Sequence, residues 1–444
     1  MSARPPRRSG RYKLNLAQTL DTVIDDRVKG IPGGCGPLRL GEIGEQGWNL
    51  LGEDLPLPLL VLKRSALDHN LRLMRRYCER HHVALAPHGK TTMAPQLFDE
   101  QLRMGSWGMT AATVQQLQVY RRVGVRTVMF ANQLVGEPGL RYVCAELAND
   151  PGFALYSWVD SVESVELLAA AARRHRVRRP FTVLAEVGYP GGRSGVRTLA
   201  QLDRLVSAIA AHGGAVQLTG VAGFEGLLRP AAASAPGPAS APAVRVESYL
   251  DTMAGFARRL ATAGALADDF ILTAGGSMSF GTVVAAFREF IGSRATVLLR
   301  SGCYLTHDHL MYARTSPLGA GNSDEADEIG HLEPALELWC YVHSTPEDDL
   351  ALLTFGRRDA PYDHALPVPL RRHPGGHRDP MPIDGASVVE LNDQHAYLRG
   401  PSGARVGDRI VLGISHPCTA FDKWRLVFVV DDDYNVIDGI LTYF

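Results

Sequence analysis

From about residue 57 the chain alternates short apolar or β-branched runs with stretches whose apolar residues recur at helical spacing. This is the pattern of repeated βα units around a parallel sheet. The runs at 59–62, 83–86, 106–109, 127–131, 154–159, 181–187, 218–224, 270–274 and 296–300 predict nine strands. Between the first two, Ser65 with Asp68 makes a capping-box-like start, and Leu67, Leu71, Met74 and Cys78 then share one helical face. Val162, Val165 and Leu168 repeat that pattern further on. An eight-stranded barrel leaves one strand over, and the first is assigned to packing against another domain. After about residue 310, LELWCYVHS, ASVVELNDQHAYL, DRIVLGIS and WRLVFVVDDDYNVIDGILTYF are separated by turns, which predicts an all-β domain. The expected fold is thus α/β: a (β/α)8 TIM barrel over residues 57–310, a C-terminal β-domain over 311–444, and an N-terminal extension over 1–56 that partly packs on the β-domain.

Three segments stand outside this scheme. The Ala/Pro/Gly-rich stretch 229–245 cannot build a core and reads as a mobile loop on the barrel, with no chemistry assigned. Asp431 to Asp433 read as a solvated turn. The basic residues Arg371, Arg372, His373, His377 and Arg378 read as a solvated loop, or as partners for a second carboxylate on a substrate.

Composition removes several function classes. Lys and Arg number 46 against 47 Asp and Glu, a net charge of −1, so no global field draws in nucleic acid. Hydrophobic residues at 45% and charged residues at 21% fit an ordinary compact protein. No apolar run reaches the roughly 18–20 residues that cross a bilayer, and no signal-type apolar stretch follows the basic N-terminus. A cytoplasmic protein without membrane contact is expected. The six cysteines, Cys35, Cys78, Cys144, Cys303, Cys340 and Cys418, form no CxxC pair and read as reduced thiols, one of them a candidate ligand.

Three motifs carry candidate chemistry. In Pro87-His88-Gly89-Lys90-Thr91-Thr92, directly after a predicted strand, Lys90 falls where barrel enzymes place catalytic groups. Such a lysine can form a Schiff base and, once released, act as a base; a solvated loop lysine is the other reading. Thr273-Ala274-Gly275-Gly276-Ser277 and Ser301-Gly302-Cys303-Tyr304 follow the last two strands. There, glycine backbone N–H groups and the Tyr304 hydroxyl suit a phosphate, although a plain tight turn and a core tyrosine fit equally. In Ser415-His416-Pro417-Cys418-Thr419, an extended segment would point His416 and Cys418 to one side, toward one zinc ion. A buried cysteine beside a satisfied histidine is the alternative. Two ligands are too few for a closed structural site, whereas a catalytic zinc keeps open positions. His395 is a further candidate for that site, and His343 reads as structural.

Taken together, PHGKTT, GMTAAT, FANQLVG, TAGGS, SGCY, DQHAYL and SHPCTAFDKWR resemble the D-serine dehydratase and D-threonine aldolase group of fold-type III pyridoxal-phosphate enzymes. The resemblance runs from about Leu59 to Trp424, and HPC followed by FDKW is its most specific piece. It implies an alanine-racemase-like barrel, with Lys90 carrying pyridoxal 5'-phosphate covalently beside His88. Gly275, Gly276, Ser277, Gly302 and Tyr304 would hold the phosphate, and His416 and Cys418 would hold Zn2+. The family's arginine near the pyridine nitrogen falls on Arg193, in a stretch where Glu186 replaces an aspartate and two residues are added. At Phe224-Glu225-Gly226 the family's aromatic-glycine-histidine segment is missing, and Glu225 reads as facing the substrate or as a solvated rim residue.

What the resemblance implies for activity is β-elimination from a D-β-hydroxy amino acid such as D-serine or D-threonine, with Lys90 as base and zinc assisting the departing hydroxyl, giving a 2-oxo acid and ammonia. A homodimer is expected with it. Three alternatives stay open. One is retro-aldol cleavage of the D-threonine aldolase type, whose enzymes carry aspartate where Cys418 stands. The others are a non-catalytic pyridoxal-phosphate carrier and an alanine-racemase-like activity, which would need a second base.

Overall fold

Eight of the nine predicted strands form one parallel sheet in a computed structural model that describes residues 13–228, 245–267 and 269–444. The predicted loop 229–245 lies, apart from Arg245, outside the described residues. In sheet order the strands are Ala84–Leu85, Ala295–Leu299, Phe270–Thr273, Val216–Gly223, Phe181–Val187, Ala154–Val159, Thr127–Gln133 and Met109–Ala111. An isolated parallel bridge between His88 and Thr110 joins the two ends of this order, so the sheet curls round on itself. Inside pack Ala86, Trp107, Met129, Tyr156, Trp158, Leu184, Ala222, Ile271 and Leu298, all buried. The barrel is therefore filled by side chains rather than hollow. Its helices begin where the sequence supplies caps. Thr113, Ser161 and Thr198 each accept the backbone N–H three residues on, opening Val114–Arg122, Val162–Arg174 and Leu199–Ala211.

The surplus strand, Leu59–Lys63, belongs to a second sheet of nine strands. It runs antiparallel to Leu336–Glu347 and parallel to Leu426–Val430, with hydrogen-bonded neighbours on both edges. Its unbroken apolar run reflects this central place: Leu59, Leu60, Val61 and Leu62 are fully buried. The sheet continues through Leu350–Leu353, Ala396–Arg399 and Ser387–Leu391 on one side and Val436–Leu441 on the other, and Arg409–Gly413 with Val368–His373 branches from it.

By contacts the chain divides into two units. One comprises Arg75–Lys90 and Gln101–Gly302, the other Leu14–Met74, Thr91–Glu100 and Cys303–Phe444. Of the range 57–310 expected in the barrel, residues 57–74, 91–100 and 303–310 fall in the second unit. The N-terminal extension falls there too: Val436 donates to the Trp48 carbonyl, and Gly44 lies against the Ile437 backbone, where a Cβ would overlap.

Two local expectations change, and a third, the turn at 431–433, is met. The helix starts at Arg64, one residue early, and Ser65 with Asp68 is no capping box. Ser65 donates to Asp432, while Asp68 and Glu100 pair with the Arg64 guanidinium. The basic stretch is a solvated loop only in its second half, where His377 and Arg378 are exposed. Arg371 and Arg372 sit in a strand, where Arg371 makes a bidentate pair with Glu337 at 3.0 and 2.8 Å and Arg372 meets Asp408 at 2.8 Å. Both charges are thus spent inside the sheet unit, which leaves neither for a substrate carboxylate. At 431–433, Asp431 accepts the N–H groups of Asp433 and Asn435, so the run builds a turn between two strands. Among the described residues no helix is long and apolar enough to cross a membrane.

Candidate active site

In the barrel unit the predicted groups stand at the carboxyl ends of strands, where such folds carry their chemistry. After Ala84–Leu85 the chain stays in the ring for three more residues. The Ala86 N–H bonds the Leu299 carbonyl, the His88 N–H the Arg300 carbonyl, and Thr110 donates to Pro87. It then leaves in a single turn, Gly89–Thr91, which carries an exposed Lys90. Burial, reinforced by the charges of Lys90, Arg300 and Arg193, holds the His88 imidazole well below its ordinary pKa, so the ring is neutral near pH 7. Its Nδ1 is buried and has no hydrogen-bond partner within the protein. A buried polar atom left unpaired is costly and calls for an external partner.

The glycine loop is a built anion site. Gly275 adopts φ +93°, and a Cβ there would come within 2.7 Å of Leu299. With that turn in place, the N–H groups of Gly275 and Gly276 converge on the Glu225 carboxylate at 3.2 and 2.6 Å. Glu225 is fully buried, so the solvated-rim reading does not describe it: two backbone donors replace the water it has lost. The loop therefore binds an anion, and here the anion is the protein's own. Ser277 is half-buried, Gly302 is buried, and the Ser301 hydroxyl donates to the Gly275 carbonyl.

Arg193 and Arg300 exchange the prominence the sequence suggested. Arg193 is exposed, its guanidinium 4.7 Å from the Phe224 ring centre. Arg300 is buried at the end of its strand, bonded to Thr273 Oγ1 at 2.5 Å and the Gly223 carbonyl at 2.6 Å, over the Trp158 ring. The available signal was an arginine closing the apolar run TVLLR. Nearby Glu186 is also buried, accepts from Gln133 and Ser194, and is raised above its ordinary value by burial.

In the sheet unit the strand Arg409–Gly413 delivers His416, but the next residues do not stay extended. Pro417 caps a short helical turn, Cys418–Phe421, so the alternation argument for His416 and Cys418 fails. Proline favours the first turn of a helix over a continuing strand. The turn sets Cys418 Sγ 3.5 Å from both Cys303 Sγ and Thr91 Oγ1, and Thr91 Oγ1 is 3.7 Å from Cys303 Sγ. His416 Nδ1 lies 2.5 Å from Asp363 Oδ2, and Thr419 donates to the other carboxylate oxygen at 2.8 Å. Although partial burial opposes it, the bonds from His416 and Thr419 hold the Asp363 carboxyl below its usual value. Ligand atoms of Asp363, His364 and His416 all lie within 4.8 Å of one another. Sequence reasoning missed Asp363 and His364, which sit in a connecting stretch without a motif. Tyr304 is buried. His395 is exposed at a hairpin turn, its ring against His343, outside the Asp363–His364–His416 cluster. None of the six cysteines is in a disulfide.

Comparison with known proteins adds independent findings. Residues 62–282 match the family model described as "Alanine racemase, N-terminal domain", and residues 335–430 the one described as "Putative serine dehydratase domain". The 3-hydroxy-D-aspartate aldolase of Paracoccus denitrificans (strain Pd 1222) is 25% identical over 388 residues, which is 84% of this chain and 88% of that one. Among solved structures, the D-threonine aldolase from Filomicrobium marinum superposes with a TM-score of 0.71 at 20% identity, covering 89% of this chain and 96% of that one. The D-threo-3-hydroxyaspartate dehydratase from Delftia sp. HT23 superposes with a TM-score of 0.64 at 18% identity, covering 89% and 99%. A cysteine-to-alanine variant of the latter enzyme is known in a metal-free form.

Proposed function

Because the chain belongs to the D-serine dehydratase and D-threonine aldolase group of fold-type III enzymes, a family of lyases, we propose that it is a dehydratase. It removes water from a D-β-hydroxy amino acid, D-serine or D-threonine, and releases a 2-oxo acid and ammonia. The proposal includes pyridoxal 5'-phosphate and Zn2+ as cofactors, a cytoplasmic home and a homodimer; sedimentation as a monomer at working concentration would remove the dimer.

The barrel residues fit the organic cofactor. Lys90 and His88 would hold it, His88 through the ring nitrogen that lacks a protein partner, with Arg193 as a charged neighbour. Ser277, Gly302, Tyr304 and the Gly275–Gly276 nest would hold its phosphate once Glu225 yields the two N–H groups. The bound cofactor supplies an electron sink for a developing carbanion. The protein supplies the proton chemistry: Lys90 Nζ takes the proton from Cα, and neutral His88 and buried Arg300 fix the polar surroundings at the strand ends. Hydroxide is a poor leaving group; His416 and Cys418 would hold a metal, which would supply Lewis-acid help for its departure. Loss of water leaves an enamine, which tautomerises to an imine and takes up water to yield the 2-oxo acid and ammonia.

The single observation that favours dehydration over aldol cleavage is a thiol at position 418, its sulfur 3.5 Å from that of Cys303. Thiolate is a soft ligand that selects zinc over magnesium or manganese. Relatives named as aldolases keep cleavage as the second reading, and one assay separates the two. Purified protein supplied with the cofactor and zinc is incubated with D-serine, D-threonine and D-threo-3-hydroxyaspartate, with and without a chelator. The expected result is chelator-sensitive release of 2-oxo acid and ammonia; glycine plus aldehyde as main products would replace dehydratase with aldolase.

A further inference from the structure

Cys303 and Cys418 are 115 residues apart in the chain, yet their sulfurs stand 3.5 Å from each other and are not bonded. We infer that the two form a reversible disulfide, an oxidative modification site in which Cys418 reacts first and Cys303 resolves it. Cys303 has no part in the dehydration proposed above, and its pairing is a separate property of the chain. A disulfide sets its sulfurs about 2.05 Å apart, so the pair must close by about 1.5 Å. The segments that carry them suit such a movement. Cys303 lies in the turn after the last barrel strand, and Cys418 opens the four-residue helical turn behind Pro417. Cys340 differs, being fully buried within the strand Leu336–Glu347 with its thiol on the Ile410 carbonyl.

Exposure divides the roles. Cys418 is half-buried and open to a small peroxide, whereas Cys303 is only 4% exposed and has Cys418 beside it. An accessible thiol with a second one poised next to it is the arrangement of redox-sensing cysteines. With hydrogen peroxide as oxidant, the Cys418 sulfur attacks one peroxide oxygen and the O–O bond breaks. The departing hydroxide takes the thiol proton as water and leaves a sulfenic acid. The Cys303 sulfur then attacks the Cys418 sulfur, the S–O bond breaks, and the hydroxyl leaves as a second water with the Cys303 proton. Two thiols lose two electrons in all, and the peroxide gains them. The Thr91 hydroxyl is placed for both steps: its Oγ1 lies 3.5 Å from Cys418 Sγ and 3.7 Å from Cys303 Sγ, within reach of whichever sulfur carries negative charge. An external dithiol reverses the bond by exchange. Linking also removes the thiolate that the proposed metal needs at Cys418, so oxidation would release zinc; that consequence rests on the metal reading, and the disulfide itself does not.

The full-length protein, reduced and held in chelator, is treated with graded hydrogen peroxide, alkylated, digested and analysed by mass spectrometry, with circular dichroism to confirm folding. The expected product is one pair of peptides joined through Cys303 and Cys418. The count of six thiols falls by two and is restored by dithiothreitol. Cys303→Ser removes the resolving sulfur, so Cys418 is expected to stop at the sulfenic acid, trapped by dimedone, and to over-oxidise at higher doses. Sulfinic acid at Cys418 without the joined pair, in the folded, unaltered protein, would overturn the inference. So would two intact thiols at peroxide doses that already modify the half-buried Cys35. These readings use the unaltered protein, so a variant that failed to fold would not spare the inference. Zinc uptake is measured separately, and linking is expected to abolish it; a joined pair in a protein that takes up no zinc when reduced would remove the metal reading and keep the disulfide.

Discussion

Glu225 shows how a single side chain can hold a loop in readiness. Its carboxylate is buried and survives there because the Gly275 and Gly276 N–H groups point at it. Hydrogen bonds to a charged group contribute about 1.5–3 kcal/mol each, and the same donors are those a phosphate would use. Glu225→Gln keeps the shape and one acceptor oxygen but removes the charge. The protein without cofactor is therefore expected to lose about 1–3 kcal/mol of stability, read as a lower melting temperature. Because a carboxylate no longer competes with a dianionic phosphate, pyridoxal phosphate is expected to bind more tightly, read by equilibrium dialysis. Weaker binding by a folded Glu225→Gln protein would mean that the carboxylate buttresses the loop rather than occupying its anion site.

At the scale of elements, the turn between Phe270–Thr273 and the helix Phe280–Ala286 depends on one backbone conformation. Gly275 at φ +93° costs nothing extra, whereas alanine there bears roughly 1–3 kcal/mol of backbone strain before its Cβ meets Leu299 at 2.7 Å. Gly275→Ala is expected to lower the melting temperature by several degrees and to weaken cofactor retention more than Gly276→Ala. The latter's Cβ finds only ordinary contacts at 3.4 and 3.5 Å; equal losses from both would deny the turn this role. Elements of this kind were legible in the sequence wherever periodicity and composition agreed. The eight barrel strands alternate with amphipathic helices, and the capping threonines and serine mark where helices begin. Two strands of the nine-stranded sheet were missed, Leu350–Leu353 and Val368–His373, the first short and the second carrying prolyl and basic residues. What local pattern cannot convey is pairing across the chain. Arg371 reads as a solvated cation until Glu337 is placed beside it, and Cys303 reads as a loop residue until Cys418 stands 3.5 Å away. The helical turn at Pro417 likewise follows from packing that the tripeptide His-Pro-Cys does not display.

The protein as a whole should be sensitive to acid, and three consecutive residues say how. His307 and His309 are held at about 4 by burial, well below the ordinary 6.5. Between those values the unfolded chain binds two protons that the folded chain refuses, so their contribution is complete above about pH 6.5 and is lost as the pH falls toward 4. Asp308 between them runs the other way. Burial raises it from 3.8 to about 7, against the N–H groups of Leu310, Tyr312 and Ala313 that favour its charged form. The folded chain thus keeps a proton there that the unfolded chain releases above about pH 4, and this favours folding more as the pH falls from 7. Around pH 5.5 the unfolded state binds two extra protons on the histidines and one fewer on the aspartate, a net of one. One proton corresponds to about 1.4 kcal/mol of stability lost per unit of pH. The melting temperature of the cofactor-free protein is therefore expected to fall steadily from pH 6.5 to 4.5. Asp308→Asn removes the opposing group and should roughly double that slope, because asparagine keeps the oxygen that accepts the three N–H groups but carries no titrating proton. A melting temperature flat or rising over this interval would show that the histidines gain protons without unfolding, by turning their rings to solvent.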